Sequence, residues 1–388
     1  MSDINLSKRD IRFLKLLYKI GSFLASNPPY DFEKRVITNP LLNKIQAFLL
    51  IIFLTIASVL TLYDEMNFHT QQGSEMTSIV MEFINFIFLF TLPFLTVVNS
   101  CLFSHDSWLK LNNNFQYVDA KLNNRNKREN NLFRNFYFQF VLSIGGFLIC
   151  NVYVTYYCFK IFPTLVLSPA FIIYEIFYLY EFVICILICN IASAFKYRYE
   201  DINKLLESNF TSTFEPNISK VKNSVSLIRE VGNLWRILRE TITCFNKIFG
   251  WSLICLCGRG ILQILMSLKY MFALNKNVII NNDTFNQNMF VTNLFIFTYI
   301  LVSMIFVITS CDYATSAGKK TMFLCYKIQK DFLDDSKERK ELMLLAREIS
   351  DSGARFTAAD FFEINRSTFF GILSVTTTYL IILIQFNT

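Results

Sequence analysis

The chain has 388 residues, of which 53% are hydrophobic and only 17% are charged. A composition this apolar excludes an ordinary soluble domain and predicts an all-α membrane protein. The net charge of +7 does not call for nucleic acid, because membrane lipid headgroups are suitable counterions for basic cytosolic segments.

The N-terminal segment, residues 1–44, is basic and precedes the first long apolar run. It contains a short apolar pattern with basic neighbours, formed by Ile11, Leu14, Leu17 and Tyr18. Such an amphipathic pattern predicts a helix on the membrane surface. We expect this segment to be cytosolic.

Seven apolar runs are long enough to cross a bilayer, which needs about 20 residues. They lie near residues 45–63, 79–103, 133–159, 165–195, 243–273, 289–311 and 364–386. Most of the lysine and arginine, 30 of 37 residues, falls in segments 1–44, 104–131, 196–241 and 312–363. By the positive-inside rule these segments are cytosolic. The sequence thus predicts a multi-pass plasma-membrane protein with a cytosolic N-terminus and an extracellular C-terminus.

Two cytosolic segments have an amphipathic helical pattern. The first leads directly into the fifth span, and its apolar positions are Val221, Val225, Ile228, Trp235, Leu238 and Ile242. The second lies within 312–363, and its apolar positions are Leu342, Leu345, Ala346 and Ile349. Each apolar face needs a partner, which is either another helix of the same chain or another copy of the protein.

The last span, within residues 364–388, carries small and polar residues along one helix face. They are Ser367, Gly371, Ser374, Thr378 and Gln385, and we call them the polar stripe. Only one turn, at Ile381 or Ile382, interrupts the polar stripe with an apolar side chain. This pattern is typical of a pore-lining helix with a gate, and equally of a helix that packs closely against others.

The end of the chain resembles the C-terminal signature of insect gustatory receptors, a branch of the insect chemoreceptor superfamily. The signature is Thr-Tyr, five apolar residues and Gln-Phe, here Thr378, Tyr379, Leu380 to Ile384, Gln385 and Phe386. Asn246, Phe249 and Gly250, at the start of the fifth span, and the seven-span layout also match. The resemblance implies a ligand-gated ion channel rather than an enzyme.

The resemblance further implies a homotetramer, or a heteromer with related receptors, in which the last helix lines a central pore. Residues 45–311 would form the ligand-binding bundle, with cytosolic extensions at 196–241, and residues 312–363 the cytosolic anchor segment. The implied pore and gate residues are Ile382, Gln385, Phe386, Thr378 and Ile381, with Ile382 favoured over Ile381 for the apolar ring. Because the last span has no acidic side chain, only helix dipoles and the terminal carboxylate would favour cations, and they would select poorly.

A ligand pocket is implied in the outer halves of helices two to six, where aromatic residues with a few polar groups suit a small organic tastant. The candidates are Tyr156, Tyr157, Tyr174, Glu175, Tyr178, Arg259, Gln263, Tyr270, Asn293 and Tyr299. At such depth Arg259 is expected to pair with Glu82, Glu175 or Glu181. For each candidate, structural pairing or core packing is the alternative role. The sugar-sensing branch tends to have glutamate where this chain has Leu380, which favours a non-sugar tastant such as a bitter plant compound.

Four other function classes are less well supported by the sequence or share its predicted fold. An odorant-receptor-type subunit that needs a co-receptor would have the same fold, so it stays open. A G-protein-coupled receptor is disfavoured, because its termini normally have the opposite orientation. An enzyme or a transporter is disfavoured because no histidine lies in the middle of a span and no internal repeat is visible. No cofactor is expected, and the cysteine pairs Cys185 with Cys189 and Cys255 with Cys257 are interpreted as packing residues rather than metal ligands.

Overall fold

A computed structural model describes residues 17–72, 76–123, 144–156, 169–210, 218–281 and 284–386. Nine helices are labelled in these ranges, after a short helical segment at 17–23. They are α1 Pro40–Gln72, α2 Met76–Val97, α3 His105–Asn123, α4 Ile144–Tyr156, α5 Pro169–Phe210, α6 Ile218–Asn281, α7 Thr284–Ile328, α8 Lys337–Asp351 and α9 Arg366–Phe386. A π-helix, Val98–Phe103, extends α2, and a 3-10 turn, Gln329–Asp331, follows α7.

The described strands form two small antiparallel hairpins. In the first, β1 (Tyr30–Asp31) pairs with β2 (Val36–Ile37). In the second, β3 (Thr357–Ala358) pairs with β4 (Phe362–Glu363) and leads directly into α9. We call this second element, with its flanking residues 354–364, the β3–β4 hairpin.

The helical fold class predicted from composition is confirmed. Within the described residues, five helices are long and apolar enough to cross a membrane, and they coincide with predicted spans one, two, four, five and six. The third predicted span is described only as the short apolar helix α4, and the seventh is α9. Helix α5, which corresponds to the fourth predicted span, begins at Pro169, where a proline costs no intrahelical hydrogen bond. It continues past the predicted end of that span to Phe210.

Helices α5 and α6 occupy the centre of the molecule. Over half of the most apolar window of each is buried inside the protein, 56% for α5 and 61% for α6, against 28% for α1. The apolar side chains of α1 that remain exposed, such as Phe48, Leu49 and Val59, are the kind of surface that lipid covers. The hydrophobic core runs from this bundle into a second layer, made by α3, α8 and the ends of α5 to α7, which lies in the segments predicted to be cytosolic.

The amphipathic faces predicted to be cytosolic are covered within the chain. The predicted helix before the fifth span is continuous with it, so α6 is a single helix of 64 residues. Its residues Trp235 and Leu238 are fully buried, and a Cβ added at Gly232 would meet Leu345 of α8 at 3.5 Å. Ion pairs at the edges of this contact also join α6 to α8, for example Arg229 to Glu341 at 2.6 Å. Of the two predicted alternatives, the structure shows the first: each amphipathic face packs against another helix of the same chain.

Helix α3 was not predicted from the sequence. It buries Trp108 and, at helical spacing, Leu111, Phe115, Val118 and Leu122. A buried ion pair anchors it to α5, because Arg198 donates to Asp119 at 2.6 Å while its guanidinium lies 4.0 Å from the centre of the Phe115 ring. The layer made by α3, α8 and the ends of α5 to α7 is thus thicker than the sequence suggested.

The predicted surface helix of the N-terminal segment is wrong for the residues that the structure describes. Leu17 and Tyr18 are buried in the protein core rather than available to lipid. The Tyr18 hydroxyl donates to Asn112 Oδ1 of α3 at 2.7 Å, and burial raises the pKa of this phenol. Ile11 and Leu14 lie outside the described residues. The ring of Tyr18 is buried because it packs against Trp108 of α3, a helix that was not predicted from the sequence.

Candidate functional site

The N-terminal end of α9 is firmly attached to the rest of the chain. Asn365 caps it, since its Oδ1 accepts a hydrogen bond from the Thr368 backbone N–H at 3.1 Å. The Thr368 hydroxyl donates to the carbonyl oxygen of Glu363 in β4 at 2.5 Å. Arg366 pairs with Asp312 of α7 at 3.0 Å. The first turn of α9 is therefore joined to the β3–β4 hairpin and to α7.

The remainder of α9 lies at the surface. Among its described side chains, Ile372 and Thr376 are the buried ones. At about 100° per residue they lie on the side of the helix opposite the polar stripe. All five residues of the polar stripe are exposed, and a Cβ added to Gly371 would meet nothing within 4 Å. The polar stripe therefore faces away from the helices of its own chain.

Three consecutive threonines in α9 satisfy their hydroxyls locally. Thr376, Thr377 and Thr378 donate to the backbone carbonyl oxygens four residues earlier, at 2.7, 2.8 and 3.0 Å. This back-bonding is common for threonine inside helices. The hydroxyl of Thr378, the threonine of the polar stripe, therefore has its proton committed and offers only oxygen lone pairs and a methyl group outward.

The predicted pore and gate residues share an exposed position. Thr378, Ile381, Ile382 and Gln385 are all exposed in the single chain, Ile381 by 52% and Ile382 by 39%. The apolar interruption of the polar stripe is thus available to another copy of the helix. Phe386 ends α9, and its side chain lies outside the described residues.

The ligand candidates that the structure brings together surround Arg259, in the middle of α6. Arg259 is 1% exposed and forms an ion pair with Glu181 of α5, one of the three predicted partners. The ring centre of Tyr178 lies 4.9 Å from its guanidinium carbon. Tyr299 of α7 contributes to the electrostatic environment of the same group. A cationic centre with an aromatic wall therefore lies between α5, α6 and α7.

The other predicted ligand-binding residues make different contacts. Gln263 accepts a hydrogen bond from Asn85 of α2 at 3.0 Å, and Tyr174 packs edge-on against a phenylalanine of α2. Glu175 is partly buried, whereas Tyr156 is 65% exposed. Tyr157 lies outside the described residues, as do the side chains of Tyr270 and Asn293.

A small cavity, with room for about one water molecule, lies next to Glu181 of the arginine centre. It is bounded by α5, α6 and α7, with Glu181 at one end and Ile364, the last residue of the β3–β4 hairpin, in its wall. Most of its lining is aliphatic or sulphur-containing, for example Leu256, Cys257 and Met304. Sequence reasoning missed these residues, since they have the pattern of any buried helix face.

The chain matches a known protein family and resembles solved structures. Residues 14–388 match the family profile described as 7tm chemosensory receptor. Two solved structures resemble the chain, both of the insect olfactory receptor OR5 from Machilis hrabei. The complex with eugenol has a TM-score of 0.61 and 12% identity over 97% of this chain and 99% of that one. The other OR5 structure has a TM-score of 0.59 and 12% identity over 97% and 98%.

No match was found among curated protein sequences. The family match spans nearly the whole chain, and the structural likeness supports the same fold. The predicted membership of the insect chemoreceptor superfamily is confirmed at this level. The chain belongs to the 7tm chemosensory receptor family.

Proposed function

We propose that the chain is a subunit of a gustatory receptor that acts as a ligand-gated, poorly selective cation channel. The observation that carries this proposal is the exposure of the polar stripe on the face of α9 opposite its buried face. Four copies of α9 around one axis would turn the polar stripes inward. Ile382 would then form an apolar ring that dewets and blocks ions, with Gln385 one turn further towards the outer mouth.

Assembly into a homotetramer is supported by the cytosolic anchor segment, residues 312–363. Although the amphipathic faces of α6 and α8 are covered within the chain, this segment still exposes large apolar side chains, notably Phe323 by 63%, Leu333 by 84% and Leu344 by 63%. Outside the bilayer such side chains are typical of protein contacts. In this proposal the N-terminus is cytosolic, the C-terminus is extracellular, and the channel lies in the plasma membrane.

The proposed agonist is a small, uncharged, aromatic organic tastant bound near the arginine centre. The guanidinium of Arg259 and the rings of Tyr178 and Tyr299 combine hydrogen-bonding and aromatic groups, as small-molecule sites do. The eugenol complex of the olfactory receptor OR5 makes this phenol a sensible first probe. Leu380, at the position where sugar-sensing relatives have glutamate, supports a non-sugar compound.

Whole-cell recording from cells that express this chain alone tests the pore. Ile382→Ala should raise the basal current, because a smaller side chain widens and wets the apolar ring. Gln385→Ala should change relative cation permeability. Leu373→Ala, an apolar truncation of a half-buried side chain about 130° from the polar stripe and on the side of the helix opposite Ile382, is the matched control and should change neither. The proposal fails if the Ile382 and Gln385 variants also behave like the parent at equal surface expression.

The second candidate is an odorant-receptor-type subunit, favoured by the likeness to an olfactory receptor. Such a subunit would conduct only together with a co-receptor. A gustatory homotetramer should conduct when expressed alone, with Ile382→Ala providing current even without a ligand. If the variant conducts only when a co-receptor is added, the odorant-type assignment replaces the gustatory one.

A further inference from the structure

The backbone of the β3–β4 hairpin, which precedes the proposed pore helix, is hydrogen-bonded by the side chain of Asn246 of α6. Asn246 Nδ2 donates to the carbonyl oxygen of Arg355 at 2.9 Å, and the backbone N–H of Thr357 donates to Asn246 Oδ1 at 3.1 Å. Both polar ends of the amide are therefore used on the hairpin backbone. An exposed helical asparagine would otherwise bond water or its own helix, so this is a specific attachment.

One turn further along α6, the hairpin backbone touches the helix. A Cβ added at Gly250 would lie 2.7 Å from the backbone nitrogen of Ala359 and 2.9 Å from its Cα. Such distances exclude any side chain at residue 250 unless the backbone shifts. The hairpin tip has a defined shape, because Ala359 and Asp360 both have positive φ angles of 45° and 62°. Gly250 therefore permits a contact between two rigid backbones.

The base of the hairpin is wedged into the protein core. Phe356 is 1% exposed, and its ring centre lies 5.0 Å from that of Phe245 of α6 and 5.5 Å from that of Phe195 of α5. At the far side, Ile364 N–H donates to the Phe356 carbonyl oxygen at 2.8 Å. A single residue, Asn365, then separates the hairpin from the first turn of α9. The path from α6 to α9 thus contains no flexible linker.

The same face of α6 continues from the hairpin to the cavity. Asn246 and Gly250 are one turn apart, and Leu253, Cys257 and Gly260 follow at helical spacing and line the cavity. Glu181, the ion-pair partner of Arg259, lines the same cavity. Ile364 closes the same cavity from the hairpin side. A displacement of α6 caused by a molecule near the arginine centre would therefore reach the hairpin directly.

We propose that Asn246 and Gly250 are positioning residues that couple α6 to the pore helix through the β3–β4 hairpin. This inference rests on the proposed channel function. At rest the hairpin holds the first turn of α9 against α6, which keeps the outer half of α9 in the closed arrangement. Movement of α6 then moves the hairpin and the N-terminal end of α9 together.

The test measures basal open probability and single-channel conductance in cells that express the full chain. Asn246→Ala removes both hydrogen bonds, and each neutral bond contributes a factor of about five. It should raise the basal open probability by up to about 25-fold, the product of two such factors, while conductance stays unchanged. Asn246→Asp keeps the acceptor for the Thr357 N–H but loses the donor to Arg355, so its basal open probability should be intermediate. Damage to folding alone would lower the current with surface expression, which is the opposite result.

Two matched controls are available in the chain. Asn114 of α3 donates to Thr241 of α6 at 2.9 Å, so Asn114→Ala removes an amide bond to the same helix away from the hairpin. Gly232→Ala places a methyl group on α6 at an ordinary 3.5 Å contact, whereas Gly250→Ala pushes the hairpin. Only Gly250→Ala and the Asn246 variants should raise basal opening.

The outcomes separate this inference from the proposed function. If Ile382→Ala gives no leak current, the pore assignment fails, and the coupling role fails with it. If Ile382→Ala leaks but the Asn246 and Gly250 variants keep the parent's open probability, or lose current only in proportion to surface protein, the coupling role alone is overturned. Graded opening in the order parent, Asn246→Asp, Asn246→Ala supports it.

Discussion

The ion pair between Arg259 and Glu181 gives the sharpest test of whether the arginine centre is structural. Arg259 is 1% exposed and Glu181 is 9% exposed, so neither charge is solvated. Glu181→Gln keeps the shape of the side chain but removes its charge. Breaking a buried pair from one side costs about 3–5 kcal/mol, because an unpaired charge is left behind. The Tyr178 ring, at 4.9 Å from the guanidinium carbon, is present in both proteins and does not offset this loss.

The expected loss translates into a measurable shift of the melting temperature. With an unfolding entropy of about 2.1 cal/mol/K per residue over the 388 residues, 3–5 kcal/mol corresponds to about 4–6 °C. Tryptophan fluorescence of the detergent-solubilised protein can record it. Replacing both partners, Glu181→Leu with Arg259→Met, should restore the melting temperature to near that of the parent, because two apolar side chains carry no desolvation penalty.

An exposed pair serves as the control. Lys110 and Glu240 join α3 to α6 at 3.1 Å, with both side chains 53% exposed. Glu240→Gln should cost less than about 1 kcal/mol, or about 1 °C, because solvent screens such pairs. If Glu181→Gln melts within about 1 °C of the parent, the buried pair is not structural. A double variant of Arg259 and Glu181 that is stable yet unresponsive to a compound that opens the parent would then assign the pair to ligand contact.

Three further predictions concern the contacts of α3 and α8, and α9. Arg236 donates to both carboxylate oxygens of Glu348 at 2.7 Å and holds the pKa of that carboxyl below its usual range. A lowered pKa stabilises the folded state fully above about pH 4.3, and this contribution is lost as the pH falls through the folded-state value. The melting temperature should therefore fall more between pH 7 and pH 3 for the parent than for Glu348→Gln. The corresponding difference in unfolding free energy is at most about 1 kcal/mol, because the pair is partly exposed. Tyr18→Phe should lower stability by about 1–2 kcal/mol in the same melting assay, because it leaves the buried Asn112 oxygen without its donor; an unchanged melting temperature would contradict this. Thr376→Val should leave stability within about 0.5 kcal/mol and the current unchanged, because the hydroxyl bonds only its own helix, and altered permeability would place Thr376 in the pore instead.

Local patterns in the sequence predicted the helices well. Long apolar runs identify α1, α2 and α5 to α7 because hydropathy needs no knowledge of partners. The amphipathic pattern through Trp235 correctly predicted a helix that leads into the fifth predicted span, and the pattern through Leu345 correctly predicted α8. Helix α3 was missed, although Trp108, Leu111 and Phe115 have helical spacing. Its polar residues dominate the composition, and its partners on α5 and α6 are distant in the chain.

Features that depend on distant residues could not be predicted. The choice of Glu181 among three acidic candidates for Arg259 depends on how α5 and α6 are placed. The strands of the β3–β4 hairpin have two residues each, which is too short for a period-two pattern. Asn246 and Thr357 are 111 residues apart, so only the folded chain shows that the side chain of one holds the backbone of the other.

The attachment of α9 determines how it can move. Its middle is held by few side chains, and burying one isoleucine such as Ile372 contributes only about 1.5–3 kcal/mol. Its first turn, by contrast, has an N-cap, the hydrogen bond of Thr368 to the hairpin and the ion pair of Arg366. A helix held at one end pivots there, and Ile382 lies about 24 Å from Arg366 at 1.5 Å per residue. A tilt of about 5° would then displace Ile382 by about 2 Å over that length. Small movements of the β3–β4 hairpin would therefore suffice to open or close the proposed apolar ring at the far end.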